Sequence, residues 1–229
     1  MCIRDSSIIY TFIKWSVRFV LFFFSLIFII LLLTKWINPP ITTVILSESI
    51  SLDQKVNQEW RTIDKIGKNV ILTVLASEDS NFCTHYGFDF NEIFRAKEKG
   101  FSRGASTISQ QVSKNLILWR ERSWLRKGLE ALITIMIETL WSKKRILEIY
   151  LNIAETGNGY FGIQAISNSL FKKNSYDLTL KEASYIAVTL PNPKKRNAKK
   201  LSINLKKRAE SVRNGANTLR LDGRASCVL

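Results

Sequence analysis

Acidic residues are few against their counterparts: 19 aspartates and glutamates face 34 lysines and arginines. The formal charge is +15, to which the one histidine adds little. A chain so poor in negative charge implies an anionic partner: nucleic acid, an acidic membrane surface or a phosphorylated substrate. Cysteine is scarce too. Cys2, Cys83 and Cys227 show neither metal-ligand spacing nor a disulfide framework. A Cys83–Cys227 bridge is open to the chain, but no spacing selects it, and Cys83 reads more simply as a small packing residue. Internal repeats and low-complexity segments are missing. So are runs of period-2 alternation, which leaves helices as the main element. The prolines stand in two pairs, Pro39-Pro40 and Pro191-Asn192-Pro193, each where a helix should stop.

One long apolar run is present. Phe19 to Thr34 carries no charge, with Lys14 and Arg18 before it and Lys35 after it. From Trp15 to Trp36 the length is about the ~20 residues a bilayer-spanning helix needs. Both tryptophans suit the interfaces, and Arg18 can snorkel outward. A cleavable signal peptide fits less well, because no small-residue cleavage pattern follows. Arg4, Lys14 and Arg18 precede the run and a mixed set of charges follows. The positive-inside rule therefore predicts a cytoplasmic N-terminus and an exterior globular part.

In that part, 46% apolar content overall allows a sizeable core. Ile41 to Leu46 is β-prone, and Leu52 to Ile66 reads as a polar helix with Trp60 packing. Asn69 begins an amphipathic helix with Val70, Ile71, Val74 and Leu75 on one face, and Glu78 follows on that face. Desolvation there should raise the glutamate's pKa and suit it to proton transfer. Asp79, Phe82, His85, Gly87 and Asp89 follow closely, with Asp89 capping a short helix to Lys99.

Gly100 to Arg103 reads as a flexible basic loop. Beyond it, Gly104 to Asn115 is a small-residue turn opening a helix, with Ile108, Val112 and Leu116 buried and Thr107, Gln110, Gln111 and Lys114 polar. Free amides, a helix dipole and Lys114 together suit an anion. This is no P-loop, since the Gly-Lys-Ser/Thr order is missing. Ser123 to Trp141 predicts a long helix with Leu125, Leu129, Leu132, Met136 and Leu140 inward and Arg126, Glu130, Thr134 and Glu138 as a polar stripe. By spacing alone, Glu130 with Arg126 and Lys127 is a surface ion pair of a few tenths of a kcal/mol. Ser142 caps a helix to Glu155. A glycine-rich turn, two helices, a basic stretch over 194–208 and a last helix from Ile203 to Thr218 follow. The basic stretch suits acidic lipid headgroups.

Four motifs then stand in order. They are Glu78-Asp79-x-x-Phe82-x-x-His85-x-Gly87-x-Asp89; Gly104-Ala105-Ser106-Thr107-Ile108-x-Gln110-Gln111-x-x-Lys114-Asn115; Arg126-Lys127-x-x-Glu130-Ala131; and Lys144-x-Ile146-Leu147-Glu148-x-Tyr150-Leu151-Asn152 followed by Gly157-x-Gly159-x-x-Gly162-Ile163. Over roughly residues 45–200 the chain resembles the peptidoglycan glycosyltransferase family, the polymerase module of penicillin-binding proteins. Ser169-Leu170-Phe171-Lys172 matches a transpeptidase Ser-x-x-Lys by spacing, but no Lys-Thr/Ser-Gly follows. The monofunctional form fits.

The resemblance implies a mainly α, lysozyme-like domain behind a single N-terminal transmembrane helix. The expected parts are a cytoplasmic tail (1–14), the transmembrane helix (15–36), a linker and first helix (37–66), the glycosyltransferase domain (67–200) and a basic C-terminal helix and tail (201–229). It implies polymerisation of lipid II into β-1,4 glycan with inversion and release of undecaprenyl pyrophosphate. The resemblance makes Glu78 the catalytic base and Glu130 the second catalytic glutamate, which reverses the preference for an inert ion pair. Lys114, Arg126 and Lys127 would neutralise the pyrophosphate, and Ser106, Thr107, Gln111 and Asn115 line the same cleft. Asp79 would position the loop, Phe82 falls in the substrate-binding set, and His85 reads as structural with a supporting role near Glu78. No tightly bound cofactor is implied, and Mg2+ or Mn2+ could bridge the pyrophosphate without a dedicated metal cage. Implied partners are lipid II, the nascent glycan, the bacterial inner membrane and cell-wall synthesis or division proteins. Rival readings are a lysozyme-like peptidoglycan-cleaving enzyme, a non-catalytic scaffold, and a nucleic-acid binder that rests on charge alone.

Overall fold

A computed structural model describes residues 3–98, 100 and 104–229, with side chains from residue 9 onward. Phe101, Ser102 and Arg103 of the basic loop, and Cys2, lie outside the described residues. Two units emerge, residues 1–39 and 40–229. The first is built on one helix, α1 (Ile3–Thr34). Its stretch Ile9–Thr34 is long and apolar enough to cross a bilayer. Arg18 lies over the Trp15 ring at 5.2 Å, and Lys35 over Trp36 at 5.1 Å.

The second unit is nearly all helix: α2 (Thr43–Leu52), α3 (Lys68–Glu78), α4 (Phe90–Glu98), α5 (Ile108–Ile117), α6 (Trp124–Leu140), α7 (Lys143–Ile153), α8 (Ile163–Phe171), α9 (Leu180–Ala187) and α10 (Ile203–Asp222). Side-chain oxygens cap several of them. Thr107, Ser123, Ser142, Thr179 and Ser202 each accept a bond from a first-turn amide. Asp89 does the same for α4, accepting from the Glu92 amide at 3.0 Å.

α3 packs against α9 and α10, while α5 packs against α6 and α7. α3 is buried on nearly every side, with Leu72 and Thr73 as inaccessible as the expected Val70–Leu75 face. α7 supplies Ile146, Leu147, Ile149, Tyr150, Leu151 and Ile153 to the core.

The start of this unit departs from the sequence expectation. Ile41 to Leu46 is no strand: the Thr42 hydroxyl accepts from the Ile45 amide at 3.2 Å and opens α2. Packing of Val44 and Ile45 against Phe161 then overrides β propensity. Leu52 to Ile66 is no helix either. Asp53 closes α2 at φ 49°, a left-handed cap. Beyond it, β1 (Asn57–Gln58) runs parallel to β3 (Tyr160–Phe161), which pairs antiparallel with β2 (Glu155–Gly157). A short 3-10 turn at Ile63–Lys65 follows. The glycine-rich segment is therefore a tight hairpin, which short non-alternating strands concealed.

α6 is turned over relative to its predicted orientation. Leu125 is 70% exposed and Leu132 49%, whereas Arg126, Glu130, Thr134 and Glu138 are buried. A polar face can go inward when every charge on it finds a partner. Glu130 takes Arg126 and Lys127, and Glu138 takes Ser109 and Lys143. Trp124, Leu125, Leu132 and Ile135 are left as an apolar outer face.

Cys83 and Cys227 are disulfide-bonded, 144 positions apart. This corrects the reading of Cys83 as a packing residue. Packing of α10 on α3 carries the C-terminal segment to the loop after Glu78, a proximity no sequence spacing reports.

Gly87 sits at φ +84° with a Thr134 methyl 2.8 Å and Glu138 Cγ 3.2 Å from where a Cβ would stand. Gly87→Ala therefore faces both a positive φ and a clash. It is expected to cost roughly 1–3 kcal/mol, read as a lowered midpoint in thermal or urea unfolding.

Candidate active site

The residues from Glu78 to Thr107 meet because two helix ends are brought together. Glu78 is the last residue of α3, and Thr107 caps the first turn of α5. Asp79, one residue past the helix, accepts from the Ile108 amide at 2.9 Å. It also pairs with His85 Nε2 at 2.9 Å. The Thr107 hydroxyl donates to the Gly87 carbonyl at 2.7 Å. One acid thus anchors the loop to the N-terminus of α5, where the helix dipole favours it.

Glu78 is half-buried. Gln111 Nε2 donates to its Oε2 at 3.0 Å and the Ser77 hydroxyl to Oε1 at 3.3 Å. Behind Gln111 lies Tyr150, fully buried, its hydroxyl 3.4 Å from Gln111 Oε1. Burial, then the charges of Glu78 and Asp79, push the Tyr150 phenol well above its ordinary range. It stays neutral and holds Gln111 in place. Tyr150 lies within the fourth motif, yet no helical spacing connects it to Glu78.

A cavity of about 380 Å³ opens here. Its lining includes Glu78, Asp79, Ser106, Thr107, Gln111 and Lys114 of the sequence-predicted set, together with Ser77, Asp89, Glu92, Arg196 and Arg208. The last five were not in the predicted set. Burial acts on Asp89 to raise its pKa. The Glu92 amide, the Asn81 side chain, His85 and the Asn91 amide outweigh that and hold it below the usual value.

The remaining predicted residues stand elsewhere. Phe82 is fully buried, with Lys143 Nζ 4.5 Å from its ring centroid, and works as packing. His85 is not in the cavity's lining and acts on it through its bond to Asp79 and its charge on Asp89. Asn115 lines a second cavity of about 420 Å³, which shares Gln111 and Lys114 with the first and adds Arg120, Tyr150, Glu155 and Lys194. Glu130 is buried between Arg126 at 2.7 Å and Lys127, and is outside the first cavity's lining. Lys127 also reaches Ser106 at 3.5 Å.

The electrostatics centre on Lys114. Burial lowers its pKa, Glu130 opposes that, and the nearby positive charges of Arg126, Lys127 and Arg120 lower it further. A cation held in such company gains from an arriving anion. Beside the second cavity, Glu48 is buried between Arg120 at 2.6 Å and Lys194 at 2.6 Å, and Arg120 reaches Glu155 at 2.8 Å. Burial raises the Glu155 pKa against the pull of Arg120 and Lys194. One polar cavity thus holds the half-buried carboxylate of Glu78 and the cations Lys114, Arg196 and Arg208 in its lining. It can remove a proton and stabilise a departing anion.

A family model described as Transglycosylase matches residues 45–217. "Biosynthetic peptidoglycan transglycosylase" from Jannaschia sp. (strain CCS1) is 43% identical over 189 residues, 82% of this chain and 79% of that protein. A protein of the same name from Mannheimia succiniciproducens is 41% identical over 222 residues, 93% of this chain and 91% of its own length. Another, from Pseudomonas syringae pv. syringae, is 44% identical over 194 residues, 81% and 82% of the two chains.

Proposed function

The chain belongs to the transglycosylase family, and we propose from that premise that Glu78 is the base with which it polymerises lipid II. The chain is a peptidoglycan glycosyltransferase of cell-wall synthesis. In the proposed reaction Glu78 takes the proton from the acceptor's 4-hydroxyl. The freed oxygen attacks C1 of the donor's N-acetylmuramic acid, and the C1–O bond to undecaprenyl pyrophosphate breaks. A single displacement inverts an α-linked donor to a β-1,4 linkage. No covalent enzyme intermediate is required.

The observation carrying this reading is that Glu78 and Lys114 line one cavity. Lys114, with Arg126 and Lys127 behind it, would neutralise the leaving pyrophosphate. Glu130 would act through these cations, keeping Arg126 and Lys127 aimed. Asp79 and His85 would hold the loop. A divalent ion, Mg2+ or Mn2+, belongs to the proposal as a partner of the substrate's own phosphates. Asp79 already accepts from His85 and the Ile108 amide, and Asp89 from Asn81 and the Glu92 amide. Substrate oxygens would therefore hold the ion.

The helix Ile9–Thr34 supports a single-pass anchor in the bacterial inner membrane. The charge order around it supports a cytoplasmic N-terminus, with the catalytic unit outside. The apolar outer face of α6 supports work at a lipid surface, where the substrate's tail resides. Cell-wall synthesis or division proteins are the proposed protein partners.

The test uses the purified full chain with lipid II and, separately, finished cell wall. Glycan chains and released undecaprenyl pyrophosphate are expected from the first, and nothing from the second. Soluble fragments from finished wall with no polymer from lipid II would establish the lysozyme-type cleaving reaction instead.

A further inference from the structure

We propose that the Cys83–Cys227 disulfide is a positioning clamp on the loop between Glu78 and α4, and that its oxidation state sets the rate of glycosyl transfer. The rate part rests on the proposed function above; the clamp itself does not.

The loop from Asp79 to Asp89 follows Glu78 without a break and is held from two sides. On its inner edge Asp79 meets His85 and the Ile108 amide, and the Gly87 carbonyl meets Thr107. On its outer edge the structure uses the far end of the chain. Cys227 bonds to Cys83, and Arg224 donates to Asn81 Oδ1 at 3.4 Å. Asn81 passes this on, donating to Asp89 Oδ2 at 2.8 Å. The same Asp89 caps α4 and lines the catalytic cavity. The C-terminal segment is itself seated, with Ala225 and Val228 buried after α10. The bridge therefore ties a docked segment to the stretch that aims Asp79.

Cys227 is exposed and Cys83 half-buried, so a soluble reductant can reach the bond. A dithiol thiolate attacks one sulfur and forms a mixed disulfide, which its second thiol resolves. The protein gains two electrons and two protons as two thiols, and the reductant becomes its own disulfide. With the bridge open, the outer edge keeps the Arg224–Asn81 bond alone of these two ties. The loop then holds Asp79 and His85 less firmly beside Glu78, and misplacement of this kind slows chemistry more than binding.

The test takes the full chain in detergent and compares it oxidised, reduced with dithiothreitol, and reoxidised with oxidised glutathione. Circular dichroism verifies that the helices persist throughout. Reduction is expected to lower kcat for lipid II polymerisation about tenfold with little change in KM, and reoxidation to restore it. Cys227→Ser should start at the lower rate and ignore dithiothreitol. His85 is the only histidine, so its ring NMR signals report the loop without any substrate. They should move on reduction and return on reoxidation. Equal kcat and identical His85 signals in the two states would overturn the clamp, as would equal slowing of Cys227→Ser by dithiothreitol. Should neither state polymerise lipid II, the function reading fails and the His85 signals alone decide the clamp.

Discussion

Glu78→Gln is expected to stop glycan polymerisation while leaving the protein folded. The amide matches the carboxylate in size, and its neighbours can adapt. The new amide can turn its own oxygen to the Gln111 nitrogen and its nitrogen to the Ser77 hydroxyl, which can reorient to accept. What the variant cannot do is accept the proton of the attacking hydroxyl. A positioned general base contributes about 10²–10⁴-fold, and polymerisation of lipid II should fall by about that factor. Thermal unfolding should stay close to wild type, because the charge removed is only half-buried and the amide keeps the side chain's size and hydrogen-bonding reach. Polymer formed at even a tenth of the wild-type rate would remove Glu78 from its role as base.

Lys114→Met should move activity and stability in opposite directions. Activity should fall, because the proposed pyrophosphate leaving group would lose a cation that lines the cavity. Removing one such electrostatic stabiliser costs on the order of 10²–10³-fold. Stability rises because the folded protein pays for burying this ammonium near Arg126, Lys127 and Arg120. The sign follows from proton linkage. The folded pKa lies below the ordinary 10.5, so between those two values the unfolded chain binds more protons. Wild-type stability therefore gains with rising pH in that window. The advantage of the methionine variant should be largest at neutral pH and shrink as the medium becomes alkaline. Urea unfolding of both proteins across pH measures it. A methionine variant less stable than wild type at pH 7 would contradict the assignment, and so would unimpaired turnover at limiting lipid II. The same depressed pKa predicts an alkaline decline in kcat/KM, beginning before a free lysine would titrate. Lys114→Arg should shift that decline upward, since a guanidinium stays charged.

Local chemistry was readable wherever neighbours in sequence are neighbours in space. The caps at Asp89 and Ser142 are of that kind, as are the buried face of α5 and the arrival of Glu78 at a helix end. α6 was not readable. Its leucines and its charges both recur at helical spacing, and hydropathy assigns the leucines inward. The actual orientation depends on partners from α5 and α7, namely Ser109 and Lys143 for Glu138, which no window along α6 contains. The start of α2 failed for a related reason, since packing of Val44 and Ile45 on Phe161 outweighed their β-branched preference. The link from Tyr150 through Gln111 to Glu78 crosses three helices and leaves no periodic trace.

The sequence alone determined a helical chain, an apolar N-terminal helix, an excess of positive charge, and a carboxylate followed by cations at spacings that identify the family. These are properties of composition and of short intervals, where a residue's chemistry acts directly. Tertiary structure alone decided which face of α6 is buried and which of the named residues share one cavity. It also decided that Cys83 and Cys227 meet. Each of those depends on contacts between segments far apart in the chain. Their free energy comes from desolvation and pairing, both set only when the helices pack.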